Sequence, residues 1–90
     1  KIDSLDHDLI ETLSSRKKII ELIGEYKKEN NVTIFQLERW NEIIKTRPQW
    51  GQSLGLSDDY IQELYRIIHE ESLKTQTKIL NAPEAKSTLS

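Results

Sequence analysis

Ninety residues, 36% hydrophobic and 31% charged, make one small domain with a modest core, and the lack of cysteine excludes a disulfide framework and a thiolate nucleophile. A formal charge of -2 and a pI near 5.7 argue against an extended basic surface for nucleic acid. No stretch reads as a signal peptide or a membrane span, which fits a cytoplasmic protein without membrane partners.

The composition favours helix throughout. Leu, Ile, Glu, Lys and Gln are abundant, glycine and proline number three and two, and no segment alternates with the period of a strand. The pattern predicts an all-α chain of three helices. The first runs from about Lys1 to Glu29, roughly 44 Å long at 1.5 Å per residue, and ends in Lys28-Glu29-Asn30-Asn31. It opens at Lys1 in the middle of an amphipathic pattern, so the chain reads as the ordered part of a longer polypeptide.

The inward stripe of this helix is drawn by Ile2, Leu5, Leu9, Leu13, Ile20 and Ile23. Arg16 interrupts it and Lys27 closes it. Eleven residues apart, these two cations fall within roughly 20° of each other and about 16 Å along one face. Cations on an inward face need anionic partners, because an unpaired charge among apolar groups is costly. The pair therefore points to a pocket for a small dianion. Read singly, either one is a cation snorkelling at the edge of the stripe.

A second helix is expected from about Phe35 to Gln52, with Leu37, Trp40, Ile43 and Ile44 on one side and Pro48 loosening or kinking its end. Leu54-Gly55-Leu56 breaks the chain. Ser57 then reads as an N-cap, and Asp58 and Asp59 suit the positive end of a third helix over 58–81. Its inward stripe is Ile61, Leu64, Ile68, Ser72, Thr75 and Ile79, so hydroxyls enter its second half. Pro83 ends it, giving a helical domain over residues 1–81 and a flexible tail over 82–90.

Helix one is longer than its partners, so part of its stripe would face water in a monomer. A symmetric homodimer with the long helices side by side solves this. Gly24, costing about 1 kcal/mol against alanine in a helix, marks the close approach of a neighbouring helix.

The other helices supply polar groups at helical spacing. Gln36 and Arg39 (i, i+3) are expected to share one face, as are Ser72 and Gln76 (i, i+4). These groups suit two carboxylates while leaving the neutral amide of Gln76 as a donor whose state does not vary with pH. No paired inward carboxylates occur, and His7 and His69 lie far apart in sequence and read as solvent-facing or structural. Metal hydrolysis and acyl transfer are thus poorly supported, and no metal or cofactor is implied. Trp40 and Trp50 read as core or interface aromatics, and Lys17-Lys18 and Lys27-Lys28 as solvated charge runs.

The ordered combination of Ile2-Asp3-Ser4-Leu5-Asp6, Leu9-Ile10 through Ser15-Arg16, Ile23-Gly24-Glu25-Tyr26-Lys27, the Arg39 region, and Tyr60 through Gln76 resembles the all-helical chorismate mutases over about residues 1 to 80. The resemblance implies an intertwined homodimer whose long first helix serves both active sites. It further implies that Arg16 and Lys27 grip the carboxylates of chorismate. Lys27 and Gln76 would donate to its ether oxygen, Ser72 would support a carboxylate, and Arg39 with the backbone near Gln36 would line the hydroxyl side. The reaction would be a Claisen rearrangement to prephenate, a step toward Phe and Tyr, in which clamping orders the enolpyruvyl arm and donors meet the growing negative charge.

Two positions depart from the family pattern. Trp40 stands directly after Arg39, where an acidic residue usually helps to hold the substrate hydroxyl, and Gln36 replaces an aspartate. The family's further arginine, donated across the dimer, would fall just before Lys1. Segments like Gln36-Leu37-Glu38-Arg39-Trp40 resemble mutase portions fused to the synthase of the seven-carbon phosphosugar acid, an aldolase-type enzyme. An isochorismate-pyruvate lyase, a regulatory domain sensing chorismate or prephenate for a fused enzyme, and a plain helical dimerisation module remain open alternatives.

Overall fold

The computed structural model describes residues 1–83, and they form three α-helices: α1 (Ile2–Glu29), α2 (Leu37–Ser53) and α3 (Asp58–Asn81). The predicted all-α architecture holds. From residue 84 on, the expected tail lies outside the described residues. No helix is long and apolar enough to cross a membrane.

The breaks have local causes. After α1 the chain turns through Asn31 at φ 55°, a left-handed conformation that asparagine tolerates better than most residues. At the start of α3 the backbone N–H of Tyr60 donates to Ser57 Oγ at 3.2 Å, the capping bond that the Ser57-Asp58-Asp59 run predicted. One detail of α2 differs from expectation: it begins at Leu37 rather than near Phe35, whereas Pro48 lies buried inside the helix, as the pattern predicts.

Contacts divide the chain into two units, each with its own packing. One comprises Lys1–Val32 and the chain from Thr75 onward, and Gly24 of α1 is buried within it. A Cβ there would stand 3.1 Å from Ile79 Cδ1 and 3.5 Å from Gln76 Cα, so the glycine admits α3 at backbone range. Lys28, expected in a solvated charge run, is half-buried instead. Its Nζ donates to the Ile79 carbonyl at 3.2 Å and the Ala82 carbonyl at 2.5 Å, capping the C-terminal end of α3 where carbonyls lack helical partners. Toward its N-terminus α1 keeps its stripe in the open, with Leu9 57% exposed and Ile2, Leu5 and Leu13 exposed too.

The second unit, Thr33–Lys74, holds α2 and most of α3 around Ile43 and Ile61, each only 6% exposed. Leu37 departs from its predicted inward place and is exposed, because as the first residue of α2 it has no preceding turn to lie over. Trp50 is exposed as well; the Arg47 guanidinium lies 4.4 Å above its ring, an arrangement of cation on aromatic face rather than a core contact. Gly51 of α2 faces Ile61 so closely that a Cβ would come within 2.6 Å of Ile61 Cγ1.

That contact sets an expected cost. Gly51→Ala should gain up to about 1 kcal/mol in helix propensity and lose about 1–3 kcal/mol to overpacking, for a net loss of stability. Urea denaturation with an unchanged m-value and a lower midpoint would verify it; a higher midpoint would contradict the packing.

Candidate functional site

The sequence-predicted residues divide between the two units. Arg16 and Lys27 on α1 and Gln76 on α3 belong to the first, while Gln36, Arg39 and Ser72 belong to the second.

In the first unit the glycine contact organises the polar groups. Gln76 is the α3 residue whose backbone and side chain meet Gly24, and it is 5% exposed, an unusual depth for a glutamine. Thr75 beside it is buried at 9%, as the hydroxyl-bearing half of the α3 stripe predicted. On α1, Lys27 lies three residues beyond Gly24 and Arg16 eight before it, which sets both about 60–80° to the same side of the glycine. Both are half-buried. Among the described residues Arg16 makes no ion pair, which leaves its guanidinium available to a carboxylate.

The second unit revises part of the expectation. Gln36 is not on the helix face with Arg39: it is the N-cap of α2, in extended conformation at φ -116° and ψ 101°. Its side-chain Nε2 donates to the Thr33 carbonyl at 2.7 Å, a local turn contact of the kind polar residues make just outside helices. Arg39 is exposed and bonds to Glu42 one turn on, an i, i+3 pairing on the surface of α2. Ser72 is half-buried on α3, one turn before Gln76.

Sequence reasoning missed what holds the start of α2 to α3. Trp40 stacks on His69 at a centroid distance of 4.4 Å and 22° between planes, and Phe35 meets the same imidazole edge-on at 5.8 Å. The signal was the position of His69 one turn before Ser72. Trp40 also borders a cleft of about 400 Å³ with Ile44, Asp59, Gln62, Glu63 and Arg66. Two acids against one arginine make that cleft unsuited to a dianion. Arg66 is moreover bonded to Glu63, whose carboxyl it holds below the usual range, and to Glu70 at 2.6 Å. His7 and Asp8 with Glu11 form an exposed group at the surface of α1, where His7 Nδ1 lies 2.7 Å from Glu11 Oε1.

Burial pushes the Lys27 ammonium below the ordinary lysine value of 10.5. The sign of the consequence is fixed. An unfolded chain keeps this proton up to the ordinary value while the folded chain gives it up earlier, so stability rises with pH across the interval between them. Binding of a small dicarboxylate should weaken over the same interval, as the charge it pairs with is lost. An NMR titration following Lys27 Nζ should show deprotonation below 10.5 and an upward shift when the dicarboxylate is added. An unmoved titration would mean that Lys27 does not face the ligand.

Comparison with known proteins identifies the family. The family model for chorismate mutase type II matches residues 1–77. The chain is 35% identical over 81 residues to a bifunctional chorismate mutase/prephenate dehydratase of Buchnera aphidicola subsp. Schizaphis graminum, covering 90% of this chain and 21% of the relative. It is 27% identical over 78 residues to a T-protein of Haemophilus influenzae, covering 87% and 21%, and 26% identical over 80 residues to the bifunctional chorismate mutase/prephenate dehydratase of Escherichia coli K12, covering 89% and 21%. The chain thus spans about a fifth of the length of the curated relatives it matches. The Buchnera and Escherichia coli relatives are named for a chorismate mutase joined to a prephenate dehydratase, where the Gln36–Trp40 segment led to the expectation of a synthase. A match over nearly all the described residues, on a chain of three helices, makes this chain a member of the chorismate mutase type II family.

Proposed function

We propose that this chain rearranges chorismate to prephenate, working in the cytoplasm as one domain of a larger homodimeric protein. The carrying observation is the depth of Gln76 beside Gly24, in the unit that also contributes Arg16 and Lys27. An amide so nearly removed from water, with two half-buried cations on α1, suits a dicarboxylate whose bonds shift without proton transfer.

Arg16 and Lys27 bind the two carboxylates and hold the enolpyruvyl arm over the ring, which converts a conformational search into a bound, reactive geometry. As the C–O bond breaks, negative charge gathers on the ether oxygen. Lys27 and Gln76 donate to that oxygen, and because the charge is larger in the transition state than in the ground state, their bonds strengthen when the barrier is crossed. Ser72 supports a carboxylate. Arg39 and the backbone near Gln36 line the hydroxyl side, with Arg39 exchanging its contact to Glu42 for substrate.

The homodimer rests on the apolar residues that α1 leaves exposed from Ile2 through Leu13. A second copy laid along them would cover a face whose exposure is otherwise unfavourable. Fusion rests on the relatives, whose second named activity acts on prephenate; a synthase, which the Gln36–Trp40 segment resembles, is the other form of this proposal.

Incubation with chorismate should yield prephenate, followed as loss of chorismate absorbance with the product identified. Release of pyruvate from isochorismate, with chorismate left untouched, would replace this reading with a lyase. Lys27→Ala and Gln76→Ala should each lower kcat by roughly 100-fold with little change in helicity, the scale of losing one donor to a developing oxyanion. Full activity in both variants would refute their roles. Gln76→Glu should move the activity profile toward acid, since a carboxyl donates only while protonated.

A further inference from the structure

We propose that the cleft of the second unit binds a small organic amine, held as its ammonium ion with an aromatic or branched aliphatic body against the apolar wall. The site goes beyond the proposed mutase reaction and does not depend on it. Its volume of about 400 Å³ falls within the range of small-molecule sites, and every residue lining it belongs to the one unit Thr33–Lys74. None of Gln36, Arg39 and Ser72 is among them.

Helical spacing builds the two walls. Trp40 and Ile44 (i, i+4) share one side of α2, while Asp59, Gln62, Glu63 and Arg66 recur at three- and four-residue steps along α3. One wall is therefore apolar and the other polar. The indole of Trp40 is held by its stack on His69 at 4.4 Å, which gives the apolar wall a fixed surface.

The polar wall decides the charge of the guest. Arg66 is the one cation lining the cleft among the described residues, and its guanidinium is already engaged: Nε donates to Glu63 Oε1 at 3.0 Å and Nη1 to Glu70 Oε1 at 2.6 Å. Gln62 Nε2 donates to Asp58 Oδ2 at 3.1 Å. Asp59, by contrast, makes no ion pair and no side-chain hydrogen bond among the described residues. The groups left to a guest are thus chiefly acceptors, the Asp59 carboxylate and the Gln62 carbonyl oxygen, on a wall where two carboxylates face one paired guanidinium. An ammonium carries three donors and no acceptor, so it complements this set, whereas a carboxylate would meet Asp59 with like charge. A hydrocarbon body then lies against Trp40 and Ile44, and the indole adds its attraction for a cation.

The test titrates the chain with phenethylammonium at neutral pH and follows the indole N–H groups by NMR, with Trp50→Phe to assign them. The Trp40 signal should move to saturation while that of Trp50 stays in place. Phenylalanine, which adds a carboxylate to the same body, should bind more weakly, and phenylacetate should leave the signal still. Asp59→Asn should weaken phenethylammonium about 5-fold, the scale of an exposed ion pair, and added salt should weaken it on the wild-type chain. Circular dichroism melts establish that the variant folds; should it not, the three ligands on the unaltered chain decide. Tighter binding of phenylalanine, equal binding of phenylacetate, or an amine that leaves Trp40 unmoved overturns the assignment, as does a folded Asp59→Asn variant that binds unchanged. Failure to convert chorismate would bring down the mutase reading and leave this site standing.

Discussion

The close approach of α1 to α3 at Gly24 is the constraint on which the first unit turns. With no side chain at that position, Gln76 and Ile79 come to van der Waals range of the α1 backbone, and Gln76 is sealed from water by the same contact. Alanine would favour the helix by about 1 kcal/mol and would have to push Ile79 aside. Gly24 thus spends helix stability on proximity. Lys28 fixes the other end of the arrangement by capping α3 with two carbonyl contacts, so the last turns of α3 are held from α1 at both Gly24 and Lys28.

The second unit is held in a different way. Its interior is small, built on Ile43, Pro48, Gly51 and Ile61, and much of its remaining order comes from flat rings and cations at its margins. Trp40 and Phe35 close on His69, and Arg47 lies over Trp50 and, at 5.9 Å, over Tyr65. Rings in contact fix one another's orientation more tightly than aliphatic side chains do. The first unit relies on enclosure instead, and the proposed transition-state contacts draw on burial of Gln76 and partial burial of Lys27.

A pericyclic reaction makes such a simple arrangement sufficient. Nothing needs to be deprotonated, and no covalent intermediate forms, so the demands are on shape and on charge complementarity. On the proposed reading, the cations of α1 pair with the carboxylates, and the Gln76 amide and half-buried Lys27 ammonium donate to the oxygen on which charge develops. Two of the relatives named above, from Buchnera and Escherichia coli, bear names that join a chorismate mutase to a prephenate dehydratase.

Periodicity determined the three helices and the side of α1 on which Arg16 and Lys27 lie, because these follow from backbone geometry repeated every 3.6 residues, and residue identity determined the cap at Ser57 and the break at Leu54-Gly55-Leu56. The meaning of Gly24 was legible for the same reason: a glycine amid strong helix formers requires a neighbour. Tertiary structure decided the rest. Gln36 left the face of Arg39 because the helix began one residue after it, and helix ends are set by whichever local hydrogen bonds prevail. Lys28 became a cap rather than a solvated charge, since only the folded chain brings the end of α3 within its reach. The stack of Trp40 on His69 joins residues twenty-nine apart, and no local pattern encodes which ring a distant helix will present.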